Sequence, residues 1–403
     1  MVTRVYDAVV VGAGPAGSAA AALLAERGFS VALLERAAFP RPKPCAEYLS
    51  PEASRVLDRL GLDEVLAAER PAHLTGMRVV SPDGTAFTGR FAGGHGFRGY
   101  RDHGIAMPRE VLDAHLAAAA TARGAQLLER TVVEDFEGAV NGVRRLAVRS
   151  SGRRSTLEGR LVIGADGLQS RIARLLGVAR RGRRRRVALV AHVSGVTGMG
   201  DVGEMHVGRL GYVGLASVGR GLTNVALVAD LARTSRRGSL EQWFDSLLRE
   251  FPAVAERVTA GERVTPVRAA GPFARWTTRA TADRAMLVGD AADFCDPFTG
   301  EGIYAALHGA ELVVANAAAA LESDRLGASD LAPYDAARRR EFRGKWAVER
   351  IVSWTVAHPA ALNRVAARLA RKPALADILI GVTGDFVPPS RVLRPSYVWQ
   401  IVA

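Results

Sequence analysis

The run YDAVVVGAGPAGSAAAALLAERGFSVALLE, Tyr6 to Glu35, constrains the fold more than any other stretch. Tyr6 to Val11 is short and continuously apolar, as a buried strand is. Pro15 to Arg27 is rich in alanine and leucine and is stopped by Gly28, which reads as a helix. Val31 to Glu35 reads as a second strand and completes a βαβ unit. Its turn carries Gly12-x-Gly14-x-x-Gly17. Gly12 permits the tight turn, Gly14 lets the backbone approach a pyrophosphate, and Gly17, with Ala16 and Ala20, lets helix and strand pack closely. The pyrophosphate would rest on the helix N-terminus, and Glu35 would accept hydrogen bonds from a ribose. The glycine string alone proves little, because Gly198 to Gly203 repeats it. EMHVGRLGYVGLASV, which follows that copy, alternates and carries glycines where a helix should begin, so the copy reads as a loop between strands.

Two later segments decide which dinucleotide is bound. RAMLVGDAADFCDPFTGEGI, Arg284 to Ile303, reads as a strand ending in Gly289-Asp290, a turn through Pro297 and a glycine-flanked helix start at Gly300 to Gly302. It supplies a cofactor contact from the far end of the chain, which points to a bound flavin rather than a free nicotinamide. LVIGADGLQSRIARLLG, Leu161 to Gly177, delivers Asp166-Gly167 to a turn, and Ser170-Arg171 open an amphipathic helix.

In this order the three segments resemble the motifs of the single-component FAD enzymes typified by para-hydroxybenzoate hydroxylase, over Tyr6 to about Leu312. Within that superfamily, FPRPKPCAEYLSPEA (Phe39 to Ala53) and DPFTGEGIYAAL (Asp296 to Leu307) resemble the geranylgeranyl reductase-like branch, a neighbour of the flavin-dependent halogenases. The resemblance implies an α/β (α+β) fold: a Rossmann-like FAD-binding domain with a parallel sheet, an inserted antiparallel-sheet substrate domain and a helical C-terminal tail. It places Gly12, Gly14, Gly17, Arg36 and Asp166 at the FAD, and Ala16 and Glu35 on its adenosine half. Arg109, in AMPREVLDAHL, would reach the phosphates or ribityl chain, and the Val133 backbone the adenine. Asp290 would bind the ribityl or pyrophosphate region. Cys45 and Ala46 would lie near the isoalloxazine, Pro297 and Gly300 would also contact the FAD, and Gly302 and Ile303 would offer N–H groups to the pyrimidine edge of the flavin. A helix N-terminus suits that edge, since reduced flavin is anionic there. Cys45 and Cys295 admit a redox pair or a covalent flavin link, although two small buried side chains are the plainer reading.

The expected organisation is discontinuous. Residues 1–75, 105–186 and 267–332 form the FAD-binding domain, 76–104 and 187–266 the substrate-binding domain, and 333–403 a helical C-terminal region. Pro82 to Gly84 and Gly219 to Gly221 are hairpin turn signals, and Ser239 to Arg257 reads as one helix. The tail is basic and helical to Pro373, then less regular. Its Trp346, Ile351, Trp354 and Val365 make either a lipid-facing or tunnel-capping surface or an ordinary core-packing face.

Composition bounds the remaining choices. With 403 residues, 48% of them hydrophobic, the chain is long enough for two domains around a large core. It shows no leader pattern and no uninterrupted apolar run of the roughly 18 to 20 residues that span a bilayer. Two cysteines make no disulfide framework and fit a cytoplasmic location. The net charge of +13 is concentrated at Arg180, Arg181 and Arg183 to Arg186. No stacking aromatics accompany that run, so it reads as a solvated connector and no nucleic-acid partner is expected. Peripheral membrane contact stays open, and no metal site is expected.

Three chemistries share such a scaffold. A monooxygenase admits molecular oxygen and holds an electron-rich ring near the flavin. A double-bond reductase places an alkene over it and needs a proton donor, and a halogenase needs a lysine and a tunnel. The reductases of the resembled branch carry glycines where Ala46 and Tyr48 stand here, and an aromatic-x-Trp-x-Phe-Pro strand where this chain has GYVGLA, Gly211 to Ala216. The halogenase Trp-x-Trp-x-Ile-Pro motif is absent. The expectation is therefore an NAD(P)H-dependent FAD monooxygenase acting on an aromatic or polyketide-like small molecule, with isoprenoid or lipid double-bond reduction as the alternative. Pocket candidates are Tyr48, Arg101, His192, His206, Tyr212 and Asn224, polar groups able to orient a phenol or move protons.

Overall fold

The computed structural model describes residues 4–182, 185–236 and 238–402; Arg183 and Arg184 of the basic run lie outside the described residues. Val5–Val11 is central to an eight-stranded sheet, and Ala8, Val9 and Val10 are fully buried in it. It pairs in parallel with Val31–Leu34 on one side and Arg153–Gly164 on the other. Ala285–Leu287 extends the sheet in parallel beyond Arg153–Gly164, and Gln126–Leu128 does so beyond Val31–Leu34. The registers Val11↔Gly164 and Gly164↔Leu287 bring the three motif strands to one edge. Gly12, Asp166 and Gly289-Asp290 therefore leave the sheet side by side, at the carboxyl ends where open α/β sheets bind ligands. Antiparallel strands Thr131–Phe136, Arg144–Ser150 and Thr281–Ala282 make the sheet mixed.

The helix Pro15–Ala25 is buried along its whole length, which its small alanine and glycine side chains allow. It packs against Gly302–Glu322, a 21-residue helix apolar enough by length and composition to cross a membrane, yet 61% buried inside the protein over its most apolar stretch.

A second eight-stranded sheet runs Glu262–Arg263, Arg186–Ser194, Leu222–Asp230, Gly211–Ser217, Val202–Val207, Gly76–Val80, Ala86–Arg90, with Arg268–Ala270 also on Arg186–Ser194. The turns at Gly84 and at Gly219 to Gly221 close hairpins, with φ of +87°, +85° and +73° at the three glycines. Side chains alternate across this sheet. Leu189, Ala191, Val213, Leu215, Val225 and Leu227 pack on an outer helical layer with Trp243 and Phe244. Val190, Tyr212, Ala226 and Val228 pack on the inner side, against Phe273 and the C-terminal residues Val356, Leu362 and Ala366.

Two stretches differ from the sequence expectation, and proline explains both. Ser239 to Arg257 forms two helices, Leu240–Leu248 and Pro252–Thr259, because Pro252 cannot continue the first helix and instead opens the second. In the tail, Ala328–Ala357 is followed by Pro359–Arg371, Pro373–Thr383 and Pro395–Val402. The prolines there begin helices, so the end of the chain is more regular than expected.

Phe244 is completely buried in the outer layer. Phe244→Ala is expected to destabilise the fold by about 3–5 kcal/mol, read as a lowered urea midpoint.

Candidate functional site

The turn after Val11 tolerates only glycine. Gly12 has φ +101°, and a Cβ there would stand 2.5 Å from the Ala165 carbonyl oxygen. A Cβ on Gly17 would run into the Gly12 carbonyl oxygen, and one on Gly289 (φ +61°) would stand 3.0 Å from the Ala16 methyl. Gly14 precedes the helix Pro15–Ala25, and the nearest atom to its would-be Cβ is Arg109 Nη2 at 3.9 Å. The helix N-terminus thus opens toward a cation.

A chain of ion pairs continues from there. Buried Arg109 donates to Asp113 through Nε (2.8 Å) and Nη2 (2.9 Å). Arg41 donates to the same carboxylate at 2.9 Å, to Glu35 Oε2 at 2.9 Å and to the Ala13 carbonyl at 3.2 Å. Glu35 ends its strand buried and also accepts the Ala13 and Ala37 amides at 3.2 and 3.1 Å. Arg36 beside it is exposed. The Thr131 amide donates to the Glu35 carbonyl at 2.8 Å, which brings the strand of buried Val133 to this end of the cradle. Lys43 reaches the space near Gly167. Burial lowers its pKa against the opposing charge of Asp290, and burial raises Asp290 against Lys43 and Arg109.

Asp166 accepts the Arg171 and Ile172 amides through Oδ2, at 2.6 and 3.2 Å, while its buried Oδ1 has no partner among the described residues. Burial raises its pKa.

FAD fits these residues. The glycine cradle leaves room for a pyrophosphate, Arg41, Lys43 and Arg109 carry the charge to hold it, and Asp166 Oδ1 is an acceptor lacking a donor such as a hydroxyl.

The segment Cys45 to Tyr48 ties this cradle to the second sheet. Glu47 is buried at φ +61°, a strained value for a residue other than glycine. It accepts the Arg109 amide (2.9 Å), His192 Nε2 (2.6 Å) and Asn224 Nδ2 (2.9 Å), and Asn224 also donates to the Cys45 carbonyl at 2.9 Å. His192 and Asn224 are register partners on the inner side of the sheet. Burial pushes the His192 pKa down, but the hydrogen bond and charge of Glu47 reverse this and leave it raised.

The turn after Asp293–Phe294 is held from the same sheet. Asp296 accepts the Phe298 amide (3.1 Å) and Tyr212 Oη (2.7 Å), and pairs with buried Arg186. Pro297 begins the turn, and Gly300 (φ +74°) ends it with the Tyr48 ring 2.9 Å from its would-be Cβ. Gly302 and Ile303 then start the long helix. Behind them Lys345 pairs with Asp385 and lies 4.1 Å from the Tyr304 ring centre. Burial raises Glu301 well above the usual carboxylate range, and burial with the charge of Asp293 pushes Glu349 up to about 8. Cys45 and Cys295 are free thiols, and burial pushes Cys295 up to about 11, which leaves it a weak nucleophile at neutral pH.

Tyr48, His192, Tyr212 and Asn224 thus meet around the segments Cys45 to Tyr48 and Asp296 to Gly300, with half-buried Ala46 between them. Arg101 instead pairs with Asp63 at 2.5 Å. His206 lies on the outer side of its sheet, bonded to Glu204, which Arg257 also holds. Sequence reasoning passed over Arg41, Lys43, Glu47 and Asp296, and counted Arg186 in a solvated run. The one available signal was the clustering of charges in FPRPKPCAE.

Because the folded His192 pKa is raised, its stabilising contribution is complete below the unfolded value of about 6.5 and is lost as pH rises through the folded value. Glu47→Gln should remove that slope from a plot of urea midpoint against pH.

The family model described as an FAD binding domain matches residues 5–348. Conditioned medium factor receptor 1 of Dictyostelium discoideum is 28% identical over 317 residues, 76% of this chain but only 62% of the relative, so this chain spans less than two thirds of that protein. Digeranylgeranylglycerophospholipid reductase 2 of Methanopyrus kandleri is 30% identical over 405 residues, covering 95% of this chain and 94% of the relative. The crystal structure of CmlS, a flavin-dependent halogenase, superposes with a TM-score of 0.79 over 98% of this chain and 77% of that one; at 24% identity the likeness is one of fold. Family match, fold and cradle agree that the chain belongs to the FAD-binding-domain family of para-hydroxybenzoate hydroxylase-like flavoproteins and is an FAD-dependent oxidoreductase.

Proposed function

We propose that this enzyme saturates carbon–carbon double bonds of an isoprenoid lipid, the alternative rather than the main sequence expectation. The carrying observation is the character of the inner sheet face beside the flavin turn. Val190, Met205, Val207, Ala226 and Val228 line it, with Phe273 and the tail helices opposite. Its polar side chains are engaged internally: Tyr212 on Asp296, His192 and Asn224 on Glu47. A phenol needs a free polar partner for orientation, whereas a hydrocarbon needs an apolar wall. Tyr48, which departs from the glycines of the resembled branch, packs its ring on Gly300 and Phe91, and its buried hydroxyl finds no partner among the described residues. The ring fills space against the turn. The reductase relative, similar along nearly the whole chain, supports the same reading.

Bound FAD supplies a hydride for one alkene carbon, with NAD(P)H as the transient reductant. The chain orients the alkene, keeps water out and supplies a proton to the other carbon. His192 and Tyr212 are the exchangeable-proton donors on this side, each fixed by a carboxylate.

The test is an anaerobic mixture of dithionite-reduced holoenzyme with detergent-dispersed geranylgeraniol. Flavin reoxidation matched by a gain of two hydrogens per double bond is expected. Inertness toward the alkene, with oxygen-dependent hydroxylation of a phenol, would overturn the reading.

A further inference from the structure

Beside the flavin turn lies a cavity of about 360 Å³, within the range of about 300–1,000 Å³ usual for small-molecule sites. Its buried members are Arg186 and Phe273, and half-buried Cys295 and Asp296 belong to the same wall. The helix Ala328–Ala357 contributes Arg350 and Trp354, both exposed, so the mouth opens on the C-terminal helices.

The surface of the C-terminal helices is apolar and cationic together. Ile351 and Trp354 are each 52% exposed, and on Pro395–Val402 Trp399 is 73% exposed, with Val398 and Val402 also open to solvent. The two helices share one apolar cluster through Val348, Val352, Tyr397 and Ile401, so the exposed sets border the same core. From Arg350 to the end of the sequence there are seven arginines and lysines and two aspartates. Both aspartates are engaged internally, Asp385 by Lys345 and Asp377 by the Arg90 amide at 2.8 Å. Arg350, Arg364, Arg371, Arg391 and Arg394 are exposed.

We propose that this face docks on an anionic lipid bilayer and holds the cavity mouth at the membrane surface. Tryptophan rings settle at the headgroup level while arginines bind anionic headgroups, and the two together favour a membrane interface. An acidic protein would match the charge but not the exposed tryptophans. A second copy of this chain would bring like charges together. The role of the docking rests on the reductase reading: a long-chain lipid passes from the bilayer past Trp354 toward Cys295 and Asp296.

The test is flotation of the FAD-loaded protein with vesicles of phosphatidylglycerol and phosphatidylcholine, against phosphatidylcholine alone, without turnover. Binding only to the anionic vesicles, reversed by salt, is expected. Arg391→Gln and Arg394→Gln should each weaken it about fivefold, and Trp399→Ser should reduce it further while thermal melting is unchanged. No flotation, flotation indifferent to these substitutions, or a stable dimer broken by Trp399→Ser would overturn the proposal. Alkene turnover in detergent, measured in parallel, separates the two readings: intact flotation without turnover removes the reductase reading alone, and turnover without flotation removes the docking alone.

Discussion

The structure depends on a close approach of backbone to backbone: Gly17 lies against the Gly12 carbonyl, and Gly12 against Ala165. No side chain fits at either glycine, so helix Pro15–Ala25 presses onto two adjacent strands. That approach and the parallel register set three loops along one edge and point a helix N-terminus into the space between them. The cations follow from the geometry, since Arg41, Lys43 and Arg109 come from three different places yet converge there. The opposing charges of Glu35, Asp113 and Asp290 offset the repulsion among them.

Glu47 joins that edge to the second sheet. One carboxylate receives the amide at the start of the Arg109 helix and two side chains of the facing sheet, from residues 145 and 177 positions away in sequence. Asp296 does the same for the turn Asp296 to Gly300 through Tyr212 and Arg186. The two carboxylates tie the apolar inner face to the segments Cys45 to Tyr48 and Asp296 to Gly300, so the polar groups on that face serve the architecture. The rest of that inner face is hydrocarbon.

What could be read from sequence was what local chemistry determines. Strand, glycine turn, helix and terminal acid lie within thirty residues, and each glycine role follows from sterics at its own position. The hairpin turns and the Asp166 and Asp290 segments were legible for the same reason. Glu47 was not, because nothing in CAEY announces a φ of +61° or a histidine far along the chain. His192 and His206 look alike in two alternating strands, and only the pairing register shows that one faces inward and the other outward. Pro252 was a readable helix break that the surrounding amphipathic pattern obscured. The choice of reaction went toward hydroxylation because three local departures, Ala46, Tyr48 and the strand Gly211 to Ala216, weighed more than the resemblance of the flanking segments. In the fold Tyr48 proves to be packing against Gly300.

The central claim is that a dry, apolar face receives an alkene and that oxygen takes no part in the product. Turnover of an isoprenoid alcohol under isotopically heavy oxygen gas, followed by mass spectrometry, tests it most directly. A product enriched in hydrogen and free of the heavy isotope is predicted. Heavy oxygen bonded to carbon in the product would contradict it.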